Sequence, residues 1–167
     1  MTQHLQDLRY RYRFPDFLYY ICLLSVPVLT AFLGIVNVSA GSTAAWALFG
    51  LALIPVMLRF FCTHCPHYHR DEKRLKCMFF WGLPKLFAHR PGRFSTLEIC
   101  LSIGAPALFF LAPLIWLAGR PGLLAVYVLS LAGFGATVYR NECRRCVHIQ
   151  CPANRVPESK RHSVNLP

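Results

Sequence analysis

Four long apolar stretches divide the chain, and arginine-rich polar stretches separate the second from the third and flank the whole array. The apolar stretches cover residues 17–36, 43–58, 97–117 and 123–139. A helix that crosses the hydrocarbon core of a bilayer needs about 20 apolar residues. Within these stretches Glu98 is the only Asp, Glu, Lys or Arg. The pattern predicts an all-α integral membrane protein with four transmembrane helices.

Composition supports this class. The 167 residues are 55% hydrophobic and have a mean hydropathy of +0.40, yet they carry a formal charge of +11. A soluble domain does not readily combine these values, whereas a membrane protein does so by keeping apolar and basic stretches apart. Because the basic residues cluster beside the predicted helices, we expect them to contact anionic lipid headgroups and not nucleic acid.

The basic residues also predict the orientation. Of the 18 Lys and Arg residues, all but Arg120 lie before the first stretch, between the second and third, or after the fourth. By the positive-inside rule, these three regions are cytoplasmic. We therefore expect a multi-pass protein of a bacterial-type inner membrane, with both termini in the cytoplasm.

The sequence has two similar halves, each a pair of apolar stretches followed by a cysteine motif. The spacing R-x-x-C-x-x-C-x-H occurs at residues 59–67 and again at residues 140–148. It predicts two tandem two-helix hairpins related as a repeat. Between them, residues 77–87 are too short to span a bilayer and too apolar for an ordinary loop, which predicts an interfacial aromatic segment.

These boundaries give five segments. They are a basic, aromatic interfacial lead (1–16), a first hairpin ending in a C-x-x-C motif (17–77), an interfacial or re-entrant segment (78–94), a second hairpin ending in the other motif (95–151), and a polar, mobile tail (152–167). Ser95 and Glu98 have the spacing of a capping box, which predicts that the third helix begins at Thr96.

Six of the eight cysteines belong to the two motifs or follow them closely: Cys62, Cys65, Cys77, Cys143, Cys146 and Cys151. Thiols in a reducing cytoplasm do not persist as structural disulfides, and paired C-x-x-C motifs there usually bind metal or do redox work. Two thiolates at this spacing can reach one ion from a single turn. Flanking cations such as Arg144 and Lys76 are expected to lower the thiol pKa and favour thiolate.

Three metal arrangements fit this pattern. The first is one zinc site shared by Cys62, Cys65, Cys143 and Cys146. The second is a pair of zinc sites, one from Cys62, Cys65, His67 and Cys77, and one from Cys143, Cys146, His148 and Cys151. The third is an iron–sulfur cluster, for which cysteine thiolates and a final Cys-Pro, as at Cys151, are typical. Zinc is our first expectation, and the iron–sulfur cluster is the alternative.

No catalytic motif accompanies the cysteines. The chain has no G-x-S-x-G, H-E-x-x-H or phosphate-binding glycine loop, so we expect no enzymatic activity. The pattern favours an accessory or scaffold subunit of a larger membrane complex, with a cytoplasmic metal centre. One alternative is an iron–sulfur electron-transfer component near the quinone pool. Another is a soft-metal transporter that passes ions from Cys22 or Cys100, inside the spans, to the cytoplasmic thiols.

Overall fold

Four helical runs form the body of the protein. The computed structural model describes residues 8–9, 11–70, 74–90, 92, 94–149, 151 and 153–158. The runs that are long and apolar enough to cross a membrane are Phe14–Val36, Ala40–His64, Thr96–Leu117 and Pro121–Cys143. Each contains one predicted apolar stretch. The chain is therefore a mostly helical, multi-pass membrane protein, as the hydropathy pattern predicts.

The first two helices begin at clear local signals. Helix α1 (Phe14–Val36) has proline in its first turn, and the Asp16 carboxylate accepts a hydrogen bond of 2.8 Å from the backbone N–H of Arg13. Such an acidic group stabilises a helix N-terminus. Helix α2 (Ala40–Phe60) begins after Ser39, whose hydroxyl accepts from the N–H of Ser42. A 3₁₀ turn and the short helix α3 (Pro66–Arg70) follow directly.

The third run begins with the predicted capping box. The Ser95 hydroxyl accepts from the N–H of Glu98 at 3.3 Å, and the Glu98 carboxylate accepts from the N–H of Ser95 at 2.8 Å. Helix α4 (Thr96–Ile99) follows. The Glu98 carboxylate also accepts from Arg90 at 3.0 Å, so this charge at the start of the run is paired.

Two π-helical segments interrupt or end the later runs. The first (Cys100–Gly104) joins α4 to α5 (Ala105–Leu111), and α6 (Leu114–Leu117) completes the third run. Pro106 accounts for the first segment, because its ring excludes the carbonyl of the residue four positions earlier from normal α-helical bonding. The fourth run is helix α7 (Pro121–Val138), which ends in the second π-helical segment (Tyr139–Cys143).

The runs pack around an apolar cluster far from the cysteine motifs in sequence. Helix α1 packs against α2, α6 and α7, and α2 packs against α5. The Trp46 ring stacks on Phe109 with centroids 4.6 Å apart, and its Nε1 donates to the Phe109 carbonyl at 3.1 Å. Many side chains on the outside are apolar, including Ile115 and Leu129 at 77% and 72% exposed, as suits a surface that faces lipid. The pairing into two tandem hairpins and the sides of the termini remain predictions.

The segment between the second and third runs departs from the all-α prediction. Strands β1 (Arg74–Lys76) and β2 (Trp81–Pro84) pair antiparallel within it. The hairpin is held in place because Leu75, only 2% exposed, packs in a buried cluster with Leu58 and Tyr68. Gly82 lies in the left-handed region at φ +78°, which a side chain would disfavour. The hydropathy of the sequence indicates that this segment is apolar, but it does not indicate that the segment forms two paired strands.

Candidate metal centre

All eight residues predicted from the sequence as metal ligands line one cavity of about 270 Å³. They are Cys62, Cys65, His67, Cys77, Cys143, Cys146, His148 and Cys151. Cys22 and Cys100 are exposed on the outer surface of the spans instead. The structure therefore brings the two cysteine motifs, which lie about 80 residues apart, to the same end of the helical body.

The first group of cysteines, Cys62, Cys65 and Cys77, comes from the end of α2 and from the hairpin. The N–H of Cys65 donates to the carbonyl of Cys62 at 3.0 Å, which closes the turn between them. Cys77 lies between β1 and β2, where its N–H donates to the carbonyl of Phe80 at 2.9 Å. We call this group the first trio.

The second trio, Cys143, Cys146 and Cys151, follows α7. The start of the predicted tail is hydrogen-bonded to the loop that carries this trio. The N–H of Arg155 donates to the carbonyl of Cys143 at 2.8 Å. The side-chain amide of Asn154 donates to the carbonyls of Cys146 and His148, both at 2.9 Å. Asn154 is 5% exposed. The predicted mobility of residues 152 and 159–167 concerns positions outside the described residues.

Backbone N–H groups point at the sulfur atoms in the same way in both halves. The N–H of His148 lies 3.4 Å from the sulfur of Cys146. The N–H of His67 donates to Cys65 at the same offset. The repeated C-x-H spacing thus corresponds to a repeated turn, in which the residue two positions after a cysteine supplies a donor to it.

The last cysteine of each trio receives similar bonds. Backbone N–H groups of the next three residues act to lower the pKa of Cys77, and those of Ala153 and Asn154 act in the same way on Cys151. Hydrogen bonds of this kind favour a thiolate over a thiol, and they tune the potential of cysteine-ligated clusters. Four of the six sulfur atoms are therefore surrounded in a way that suits metal-bound thiolates.

Burial nevertheless keeps the metal-free thiols neutral. It raises the pKa of Cys65 well above its ordinary value, with Cys77 and Cys146 adding to the effect, and it raises the pKa of Cys146 to about 12. The expected lowering of the pKa by nearby cations is therefore wrong. Arg144 and Lys76 are exposed to solvent, so loss of water around the sulfur atoms outweighs their charge.

The cysteines are grouped by trio. A charge on Cys77 or Cys146 would raise the pKa of Cys65, and a charge on Cys143 or Cys151 would raise the pKa of Cys146. In the described part of the chain, no three Cys, His, Asp or Glu side chains are placed so that they could hold one metal ion. The shared four-cysteine zinc site and the two three-cysteine, one-histidine sites therefore remain predictions.

The two histidines lie at the cavity wall among aromatic rings. The ring of Tyr12 packs edge-on against His67 with centroids 5.0 Å apart, and Phe94 lies between His148 at 5.6 Å and His64 at 4.6 Å. Burial lowers the pKa of His148 to about 4, and the neighbouring His64 and His67 contribute to this. His148 is thus a neutral imidazole at physiological pH, the form that binds metal.

A buried acidic group beside the cysteines is a feature that the sequence analysis did not identify. Glu142 is 3% exposed and lines the cavity. Its carboxylate accepts hydrogen bonds from Arg9 at 2.7 Å, Tyr12 at 2.8 Å and Tyr20 at 2.5 Å. Burial and this carboxylate raise the pKa of Tyr12, so its hydroxyl remains a donor. In the sequence, the alternating Arg and Tyr residues before α1 are the pattern that could have indicated hydrogen-bond donors for a buried carboxylate.

The segment before α1 closes one side of the cavity. The N–H of Arg9 donates to the carbonyl of Arg145 at 2.7 Å, and Leu8 forms a small buried cluster with Val147 and Val156. The sequence predicts an interfacial lead over residues 1–16, and within the described residues this segment also covers the second trio.

The cavity thus combines six thiols, two imidazoles and one paired carboxylate at one end of four apolar spans. These groups suit thiolate-ligated metal chemistry. Comparisons with known protein families, with characterised proteins and with solved structures find no match for this chain.

Proposed function

We propose that this chain is a multi-pass membrane protein that carries an iron–sulfur cluster between its two cysteine trios and passes electrons to or from the membrane quinone pool. The observation that carries the proposal is the convergence of six cysteines from two distant segments on one cavity. Cysteine thiolates are the usual ligands of such clusters. The protein would act as a non-catalytic electron-transfer subunit of a larger membrane complex.

The size of the cavity favours a cluster over a single ion. Four sulfur atoms around one zinc ion lie about 2.3 Å from it, which leaves no room for a cavity between them. Here the cysteines line a cavity of about 270 Å³ together with apolar side chains. That volume suits a group of several atoms held from both sides, with the first trio on one side and the second on the other.

The hydrogen bonds to sulfur support the same proposal. The N–H donors aimed at Cys65, Cys77, Cys146 and Cys151 stabilise charge on cluster-bound sulfur. The distribution of basic residues supports a cytoplasmic position for this end of the protein in a bacterial-type cell, facing anionic headgroups. A cluster there lies at the membrane surface, where it can exchange electrons with both soluble and lipid-soluble partners.

A structural zinc centre is the second candidate. Each trio has a histidine at the same offset from its C-x-x-C motif, and His148 is neutral at physiological pH, so a three-cysteine, one-histidine donor set is present in each half. Zinc bound in this way would lock the cytoplasmic face of an accessory or scaffold subunit. A soft-metal transporter is less favoured, because Cys22 and Cys100 face outward and do not line the cavity.

Elemental analysis and absorbance spectroscopy on anaerobically purified protein test the proposal. Iron and acid-labile sulfide in comparable amounts, with a broad visible band near about 400 nm that bleaches on reduction, would support the cluster. One or two zinc ions per chain with no visible band would support the structural centre instead. Protein that contains neither metal, and that takes up neither on reconstitution, would refute both.

A further inference from the structure

Ser102 is a buried polar residue that the metal chemistry does not use. It lies in the first π-helical segment, is 7% exposed, and lines the same cavity as the cysteines. In the part of the chain that the structure describes, its hydroxyl has no hydrogen-bond partner. An unpaired buried hydroxyl costs free energy, and the cost is greater in a low-dielectric membrane interior.

Six other serine and threonine hydroxyls in the spans are satisfied locally. Each donates to a backbone carbonyl three or four residues earlier, as serine and threonine commonly do in membrane helices. They are Ser25, Thr30, Thr43, Thr63, Ser130 and Thr137. Ser102 departs from this pattern: its hydroxyl makes no such bond, and the residue lines the cavity.

The departure has a local cause in the helix. Residues 100–104 form a widened π-helical turn just before Pro106, which itself lines the cavity. Such turns often occur at functional sites, because they re-aim one side chain. The second π-helical segment does the same for Glu142. Both interruptions of regular helix thus supply a polar side chain to this one cavity.

Away from the cysteines, the helices contribute apolar side chains to the cavity wall, and we call this part the apolar end. Its walls include Met57 from α2, Pro106 from the third run and Val138 from α7. Phe61 and Phe79 add flat aromatic surface, and Phe79 packs against Phe134 of α7 with centroids 6.0 Å apart. A ligand for this end of the cavity must therefore be apolar, and it needs an acceptor for the Ser102 hydroxyl.

We propose that the apolar end of the cavity binds the ring of a membrane quinone, and that the Ser102 hydroxyl donates a hydrogen bond to one of its carbonyl oxygens. A quinone is lipid-soluble, flat and an acceptor of hydrogen bonds, which matches the apolar wall, the aromatic rings and the single unused donor. Glu142 does not compete for this role, since its carboxylate already accepts from three donors.

This inference rests on the proposed cluster, which would fill the thiol end of the cavity and leave the apolar end for the ring. The proposed cluster and the proposed quinone site are tested by different measurements. Metal and sulfide content reports on the thiol end, and the affinity for quinone reports on Ser102. Both are measured on the same preparation, so that a failure of either is assigned to the correct end of the cavity.

The probe is tetramethyl-1,4-benzoquinone, titrated into the anaerobically purified full chain in detergent and followed by calorimetry. Every ring position of this quinone is substituted, so the cysteines cannot add to it. We expect one site per chain. Ser102→Ala should weaken binding by roughly three- to tenfold, the loss expected for one neutral hydrogen bond, and its iron and sulfide content should equal that of the wild type.

Ser130→Ala is the matched control, because the Ser130 hydroxyl donates to the carbonyl of Tyr127 and does not line the cavity. Its affinity should match the wild type. Three outcomes would overturn the inference: no quinone binding by metal-replete wild type, equal affinity in Ser102→Ala, or loss of iron in Ser102→Ala, which would make Ser102 a cluster ligand. Wild-type protein that contains no metal would refute the cluster. If metal-free protein still binds the quinone and Ser102→Ala weakens that binding, the result would support the quinone site.

Discussion

The hydroxyl of Tyr20 donates a 2.5 Å hydrogen bond to the carboxylate of Glu142, joining the first and fourth spans beside the cysteine cavity. Both side chains are almost fully buried, at 2% and 3% exposed. A hydrogen bond to a buried charged group contributes more to stability than one between neutral groups. This bond therefore ties the positions of α1 and the second trio to each other.

A substitution that removes this hydrogen bond tests its contribution to the stability of the protein. Tyr20→Phe should lower the free energy of unfolding by about 1.5–3 kcal/mol, because the carboxylate loses one of its three donors while it stays buried. Chemical denaturation in detergent micelles, followed by helical circular dichroism, measures the change. Tyr19→Phe is the control, since Tyr19 is 53% exposed and should shift stability by less than about 0.5 kcal/mol. Equal stability of Tyr20→Phe and wild type would contradict the assigned role.

Cysteine variants test the metal centre. Cys62→Ser and Cys143→Ser should each reduce bound metal, because each removes one ligand from a different trio. Cys22→Ser should leave it unchanged, since Cys22 is exposed on the outer surface. Metal content per chain is measured by mass spectrometry after anaerobic purification. A double variant of Cys62 and Cys143 that retains wild-type metal would exclude this cavity as the site.

The raised thiol pKa values predict a pH dependence of metal uptake. A thiol must lose its proton to bind metal, and burial keeps Cys65, Cys77, Cys146 and Cys151 protonated near neutral pH. Loading metal-free protein with zinc should therefore release protons, and the apparent affinity should rise with pH. A pH-indicator dye in weak buffer measures the release. Affinity that stays constant between about pH 6 and 8 would mean that the ligands are already ionised.

The same shift predicts how the stability of the metal-free protein depends on pH. The unfolded thiols ionise near pH 9, whereas the folded ones hold their protons to higher pH. The contribution of these thiols to the free energy of unfolding is fully present below about pH 9. It falls as pH rises further, because only the unfolded state then releases protons. Denaturation midpoints at pH 7 and pH 10 should differ in that direction, and metal-loaded protein should not show the same loss.

Topology can be tested with reporters. By the positive-inside rule, an alkaline phosphatase fused after Pro167 should be inactive in the cytoplasm, and the same enzyme inserted after Gly119, between the third and fourth spans, should be active outside it. Activity of the first fusion would place the cysteines in an oxidising compartment. Disulfides between the trios would then replace the metal centre as the expected chemistry.

The spans and the start of the third helix were predictable because they depend on nearby residues. Twenty apolar residues in succession, or Ser95 three positions before Glu98, specify local structure almost without reference to the rest of the chain. The convergence of the cysteines was also suggested by sequence, since basic residues placed both motifs on one predicted side of the membrane. Repetition of R-x-x-C-x-x-C-x-H strengthened that expectation.

Contacts between distant segments were not predictable in the same way. Asn154 bonds to the Cys146 loop, and Glu142 bonds to Arg9, through pairings that no local pattern records. The effect of nearby cations on the pKa of the thiols was predicted wrongly for a related reason. The sequence shows that Arg144 is adjacent to a cysteine, but it does not show that Arg144 is exposed to solvent. The unpaired hydroxyl of Ser102 became visible only when the π-helical turn before Pro106 was known.

The backbone bond between Arg9 and Arg145 has a consequence for biosynthesis. The two residues are 136 positions apart, and a ribosome that adds about 5–20 residues each second needs roughly 7–27 s to make the second after the first. In the second half of that interval the first trio is already synthesised, while the second trio is not yet made. The proposed centre would therefore be assembled only after the fourth span is synthesised, and before the amino-terminal segment closes over the cavity.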